Sequence, residues 1–191
     1  MSPYVLVFGG YKATLTDINV WCASAAAQKA NVTFDGYPWP SGASSDAESA
    51  VSTFTKAGNL AQAIATIQEC ATDLIYVVGH SSGCAIANAV DRGLKDTSKV
   101  ILVALDGFGP SHAQLARPST QVWAAKCGKS VSRNHDALKK VVGGRLQIYK
   151  ATDCYDEWAL HFSVVNSAAN DKAVKNIATG YAGCRANLMW M

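Results

Sequence analysis

Residues 79–83 read Gly79-His80-Ser81-Ser82-Gly83, a G-x-S-x-G pattern with Ser81 at its centre. A serine hydroxyl is a poor nucleophile unless the backbone presents it and a base activates it. Here the pentapeptide follows the apolar run "LIYVV" and precedes the helix-like "CAIANAV". A sharp strand-to-helix turn would lift the Ser81 hydroxyl clear of a sheet, at the N-terminus of the next helix. Glycines two residues to either side let neighbouring backbone approach where a Cβ would collide. The Ser82 amide would then point to where an oxyanion forms. The plain alternative is a turn rich in small residues. The strand before it and the helix after it favour the chemical reading, with Ser81 as nucleophile and Ser82 as an amide donor only.

Such a serine needs a base and the base needs an orienting acid, in the chain order Ser, acid, His. The histidines are His80, His112, His135 and His161. His80 lies inside the turn, so its ring is expected to pack beneath it. His112 and His135 fall in a mixed stretch where surface placement is the default. His161 follows the last strand-like run and is the expected base. For the acid, Asp106 closes the run "VILVALD" and is preferred; Asp153, at the end of "YKATD", stays open as the alternative, with Asp156 behind it. A second oxyanion donor is expected from the loop "VFGGYK" after the first strand, as the amide of Gly10 or Tyr11. A dinucleotide site would need a third glycine in that loop and an acid ending the second strand at the usual distance, and neither is found.

These residues require a scaffold that brings several strand ends together. Apolar runs at 4–10, 72–83 and 98–110, with weaker ones at 31–40 and 145–153, alternate with helix-like stretches at 15–30, 44–71, 84–96 and 161–184. Thr16 or Asp17 is the expected cap of the first helix, and Gly58 is expected to break the second stretch in two. Strands of continuous Val, Ile and Leu are buried on both faces, as in a parallel sheet between helices. The expected architecture is therefore α/β: one domain over 1–191, a three-layer sandwich with a mostly parallel sheet of about five strands.

Composition sets limits on function. The chain has 191 residues, net charge +3 and no run of Lys or Arg longer than Lys139-Lys140, which does not suit a nucleic-acid footprint. No run of 18 apolar residues offers a membrane span. The six cysteines form no CxxC pair and no histidine stands at zinc spacing, and the serine chemistry needs no metal or organic cofactor, so none is expected. The N-terminus lacks the basic start of a signal peptide. Free thiols and a cytoplasmic setting are expected, a secreted one if a signal has been removed. Oligomeric state is not legible.

The elbow "GHSSGC", the Asp106 that lies 25 residues beyond Ser81, and the late "HFSVV" at His161 resemble the α/β-hydrolase superfamily, most nearly its thioesterase-like branch. The short span between the last strand and His161 departs from that branch. It is similar to cutinases and minimal lipases, in which Asp153 would be the matching acid. The resemblance implies hydrolysis of a small acyl ester or thioester through an acyl-enzyme. A hydrolase-fold receptor and an acyltransferase are the rival readings. Trp39, Phe108, Trp123 and Trp158 are candidate walls of an apolar acyl pocket.

Overall fold

The fold is described from a computed structural model over residues 2–37, 47–107, 119–152, 156–167, 177–182 and 185–191. Its elements, in order, are β1 (Tyr4–Phe8), α1 (Leu15–Gln28), β2 (Thr33–Gly36), α2 (Ala47–Lys56), α3 (Asn59–Glu69), β3 (Ile75–His80), α4 (Gly83–Gly93), β4 (Val100–Leu105), β5 (Gln121–Cys127), β6 (Ser130–Val131), α5 (His135–Val142), β7 (Leu146–Lys150), α6 (Glu157–Phe162) and α7 (Ile177–Tyr181).

Among the described residues the sheet has seven strands rather than about five. Six run parallel in the order β2-β1-β3-β4-β5-β7, and the two-residue β6 pairs antiparallel with the end of β5. β5 and β6 add to the five expected strands. "QVWAAKC" mixes small, polar and aromatic residues where β3 and β4 are continuously branched and apolar.

Side-chain alternation divides β1 between two cores. Leu6 and Phe8 face a layer built on Phe54, Ile67, Ile86 and Leu138, from α2, α3, α4 and α5. Val5 and Val7 face the other layer, built on Ile18 and Trp21 of α1, Phe162 of α6 and Tyr181 of α7. Both faces are dry, so the parallel strands can be apolar throughout.

Local signals account for most boundaries. α1 starts at a capping box: Thr14 Oγ1 accepts from the Asp17 amide, and the Asp17 carboxylate accepts from the Thr14 amide at 2.8 Å. Thr14, not Thr16 or Asp17, is thus the cap. Gly58 separates α2 from α3 with φ of +77°, which glycine adopts without strain. Of the helix expected over 161–184, residues 163–167 are not helical: His161 lies at the end of α6, α7 covers Ile177–Tyr181, and 168–176 and 183–184 lie outside the described residues. α6 begins where Asp156 Oδ1 accepts from the Ala159 amide at 2.7 Å, so this third candidate acid is a helix cap.

Candidate active site

The site is assembled at the carboxyl ends of β3 and β4, where open α/β sheets bind ligands. His80 pairs in register with Leu105, which makes Ser81 and Asp106 the next residues of adjacent strands. Both depart into left-handed backbone, with φ of +55° at Ser81 and +42° at Asp106. For residues with a Cβ, such conformations cost on the order of 1–3 kcal/mol and persist where the surroundings over-determine them. At Ser81 those surroundings are visible. Its amide donates to the Leu105 carbonyl at 3.0 Å, and its carbonyl accepts from the Cys84 amide at 3.1 Å.

The two flanking glycines are required by contact. A Cβ at Gly83 would strike the Phe8 and Gly9 carbonyls, and one at Gly79 would lie 2.5 Å from Cys84 Cα. The turn is thus pressed against β1 on one side and against its own helix on the other.

Asp106 is fully buried and held at three points. Its amide donates to the Trp123 carbonyl at 2.8 Å. Its Oδ1 accepts from Ser132 Oγ at 2.7 Å and from the Asn134 amide at 3.3 Å. Asn134 Nδ2 donates to its main-chain carbonyl at 2.8 Å. The β5–β6 hairpin brings these partners in: it returns Ser132 beside Ala125, whose amide donates to Ser132 Oγ at 2.9 Å. Oδ2 is left to meet His161 Nδ1 at 2.5 Å, with both side chains almost wholly buried. Trp158 stacks on the His161 ring at 5.6 Å and 22°.

Ser81, His161, Gly10, Tyr11, Trp158 and Tyr181 line one cavity of about 330 Å³, whose walls Phe162 and Ile177 extend and at which Arg133 also stands. Arg133 lies 5.7 Å over the Trp158 ring. The amides of Tyr11 and Ser82 have no partner among the described residues, and Ser82 is the N-cap of α4, where the helix dipole favours negative charge. The Gly10 amide is already committed, donating to Tyr181 Oη at 2.6 Å.

His80 is buried beside the turn, as its position in the motif implied. Its Nδ1 meets Tyr181 Oη at 2.7 Å and its Nε2 the His161 carbonyl at 3.2 Å. Burial, reinforced by the neighbouring His161, holds its pKa well below 6.5, so it stays neutral. Burial likewise raises the Tyr181 phenol and the Cys84 thiol, keeping both protonated.

Other expectations divide. His135 starts α5 and bonds the neighbouring Asp136 at 2.8 Å, away from the cavity. Of the four candidate pocket aromatics, Trp158 lines the cavity, whereas Trp123 gives its Nε1–H to Gln121 Oε1 at 3.1 Å and does not. Trp39 and Phe108, with His112 and Asp153, lie outside the described residues. Free thiols were expected throughout, yet Cys127 is disulfide-bonded; Cys22, Cys70 and Cys84 are free. The cysteine spacing gave no sign of this. Ser132, Asn134 and Tyr181 were not singled out, since nothing near them in sequence marks their contacts.

Among the described residues no three His, Cys, Asp or Glu side chains gather closely enough to hold a metal ion. None of the described helices is long and apolar enough to cross a membrane.

A nucleophile-type turn after β3, helices on both faces and this strand order define the α/β-hydrolase fold, and the chain has it. A lidless α/β serine hydrolase from Xanthomonas campestris superposes with a TM-score of 0.51 and 9% identity, over 81% of this chain and 73% of that one. An esterase designated PE8 gives 0.49 and 18%, over 79% and 82%. A CIB-like hydrolase from Thermoplasma acidophilum gives 0.47 and 15%, over 78% and 76%. No protein-family model and no curated protein matches the chain in sequence.

Proposed function

We propose that the protein is a serine hydrolase that cleaves a small carboxylic ester or thioester through an acyl-enzyme. The observation that carries this reading is the Asp106–His161 hydrogen bond at the cavity where Ser81 stands on its strained turn. Asp106 holds the proton of His161 on Nδ1 and leaves Nε2 as the base. Nε2 takes the Ser81 proton as Oγ attacks the acyl carbon. The developing oxyanion is held by the amides of Ser82 and Tyr11, since Gly10 gives its own amide to Tyr181. The imidazolium, stabilised by Asp106, returns its proton to the leaving group. Water then repeats the cycle on the acyl-enzyme and frees the acid.

The fold is shared with a protein described as a lidless serine hydrolase, which is consistent with this assignment. The aromatic and aliphatic lining suits an acyl chain better than a polar one. The Cys127 disulfide favours an oxidising compartment over the cytoplasmic setting expected from sequence.

A fluorophosphonate probe tests the reading. It should label the native protein at Ser81, and Ser81→Ala should lose both labelling and hydrolysis of p-nitrophenyl esters. Labelling that survives this substitution refutes the assignment.

A further inference from the structure

The Gly10 amide, Tyr181, His80 and the His161 carbonyl form one chain of hydrogen bonds along the cavity wall. Its ends are backbone groups of fixed polarity. The Gly10 N–H can only donate, and it donates to Tyr181 Oη at 2.6 Å. The phenol keeps one proton to give, and His80 Nδ1 takes it at 2.7 Å. Nδ1 is therefore an acceptor and the ring proton sits on Nε2, which donates to the His161 carbonyl at 3.2 Å.

We infer that Tyr181 is a positioning residue, which sets the oxyanion-side loop through Gly10 and ties that loop to the main chain of His161 through His80. The inference rests on the hydrolase reading above.

Packing leaves the loop little freedom. A Cβ at Gly10 would lie 2.8 Å from Ser81 Cβ and 3.3 Å from Tyr181 Oη, so the loop is wedged between them. Tyr181 is itself fully buried, edge-on to Phe162 at 5.3 Å and to His80 at 5.5 Å. Its hydroxyl holds the Gly9–Gly10 peptide through the Gly10 N–H, and the Ala13 amide, donating to the Gly10 carbonyl at 2.9 Å, holds the peptide that follows. Without it the Gly9–Gly10 peptide is freer to turn, and the Tyr11 amide, one residue on, shifts in its aim at the oxyanion. Misplacement of a reacting group by about 1 Å costs on the order of a hundredfold in rate.

Tyr181→Phe removes the hydroxyl alone. With p-nitrophenyl acetate, kcat should fall about ten- to hundredfold while KM stays within about threefold, because the donor acts on the transition state. A kcat within twofold of wild type, or a loss carried wholly by KM, overturns the inference. A second pair of variants does not depend on Tyr181→Phe folding. His80→Gln offers one acceptor and one donor and should retain kcat within about fivefold. His80→Leu offers neither and should fall as far as Tyr181→Phe. Equal activity of the two overturns the inference.

If the wild type takes no fluorophosphonate and turns over no ester, the hydrolase reading has failed, and amide exchange at Gly10 reads the link separately. Exchange followed by NMR should be at least tenfold faster in Tyr181→Phe than in wild type. Unchanged exchange would leave Tyr181 without a positioning role.

Discussion

Replacing Asp106 with Asn tests the site most sharply, because the structure dictates how the new amide must sit. Oδ1 of Asp106 accepts from two donors, Ser132 Oγ and the Asn134 amide. An NH₂ group in that place would face both of them, so the amide oxygen must take the Oδ1 position. The NH₂ then occupies the Oδ2 position, against His161 Nδ1. A donor there forces Nδ1 to be the acceptor and moves the ring proton to Nε2, where the proposed mechanism needs a base for Ser81. The substituted site keeps its shape and presents the wrong tautomer. The same exchange in a serine protease lowers turnover about ten-thousandfold with the geometry intact. That corresponds to about 5 kcal/mol in the barrier. Turnover of p-nitrophenyl butyrate at saturating substrate should be compared on protein whose circular dichroism matches wild type. A folded Asp106→Asn within tenfold of wild type would refute the orienting role and return Asp153 to consideration.

Three further outcomes are expected. Ser132→Ala should cost about 1–3 kcal/mol of stability in urea unfolding, since it leaves the buried Ala125 amide and Asp106 Oδ1 each short of a partner; unchanged stability would show that the pair is satisfied otherwise. His80 should make the fold less stable in acid: its pKa is lowered on folding from 6.5, so below that pH the unfolded chain binds a proton that the native one refuses, and stability falls by up to about 1.4 kcal/mol per unit as pH drops. His80→Gln should flatten this dependence, and an identical slope in the two proteins would contradict it. Alkylation of the denatured, unreduced chain should modify four thiols, the six cysteines less the two in one disulfide, and six modified thiols would show that Cys127 is not bonded.

The turn around Ser81 was legible because each of its requirements is local: an apolar strand, two glycines and a helix start within about twenty residues. The position of Asp106 beside that turn was legible for a related reason, as the residue that ends an apolar strand following one crossover. The acid could not be settled from sequence, since the choice depends on what surrounds the carboxylate. Ser132 and Asn134 reach it from a hairpin whose strands lack an apolar signature. Tyr181 reaches Gly10 across 171 positions, and no local pattern announces such a contact. Thr14 is a different kind of miss: its capping box with Asp17 is a three-residue signal that the sequence carries openly.

The pairing of His80 with Leu105 has a wider consequence. It makes the backbone ladder itself the ruler that spaces Ser81 from Asp106, so their separation is not encoded in any side chain. Residues within β3 and β4 are therefore free to vary, provided the ladder stays in step. Repacking that exchanges one branched aliphatic for another should erode stability long before it disturbs turnover. A single-residue insertion in either strand would put the two groups on different rungs and turn the side chains beyond it to the opposite face, so it should disturb both stability and turnover.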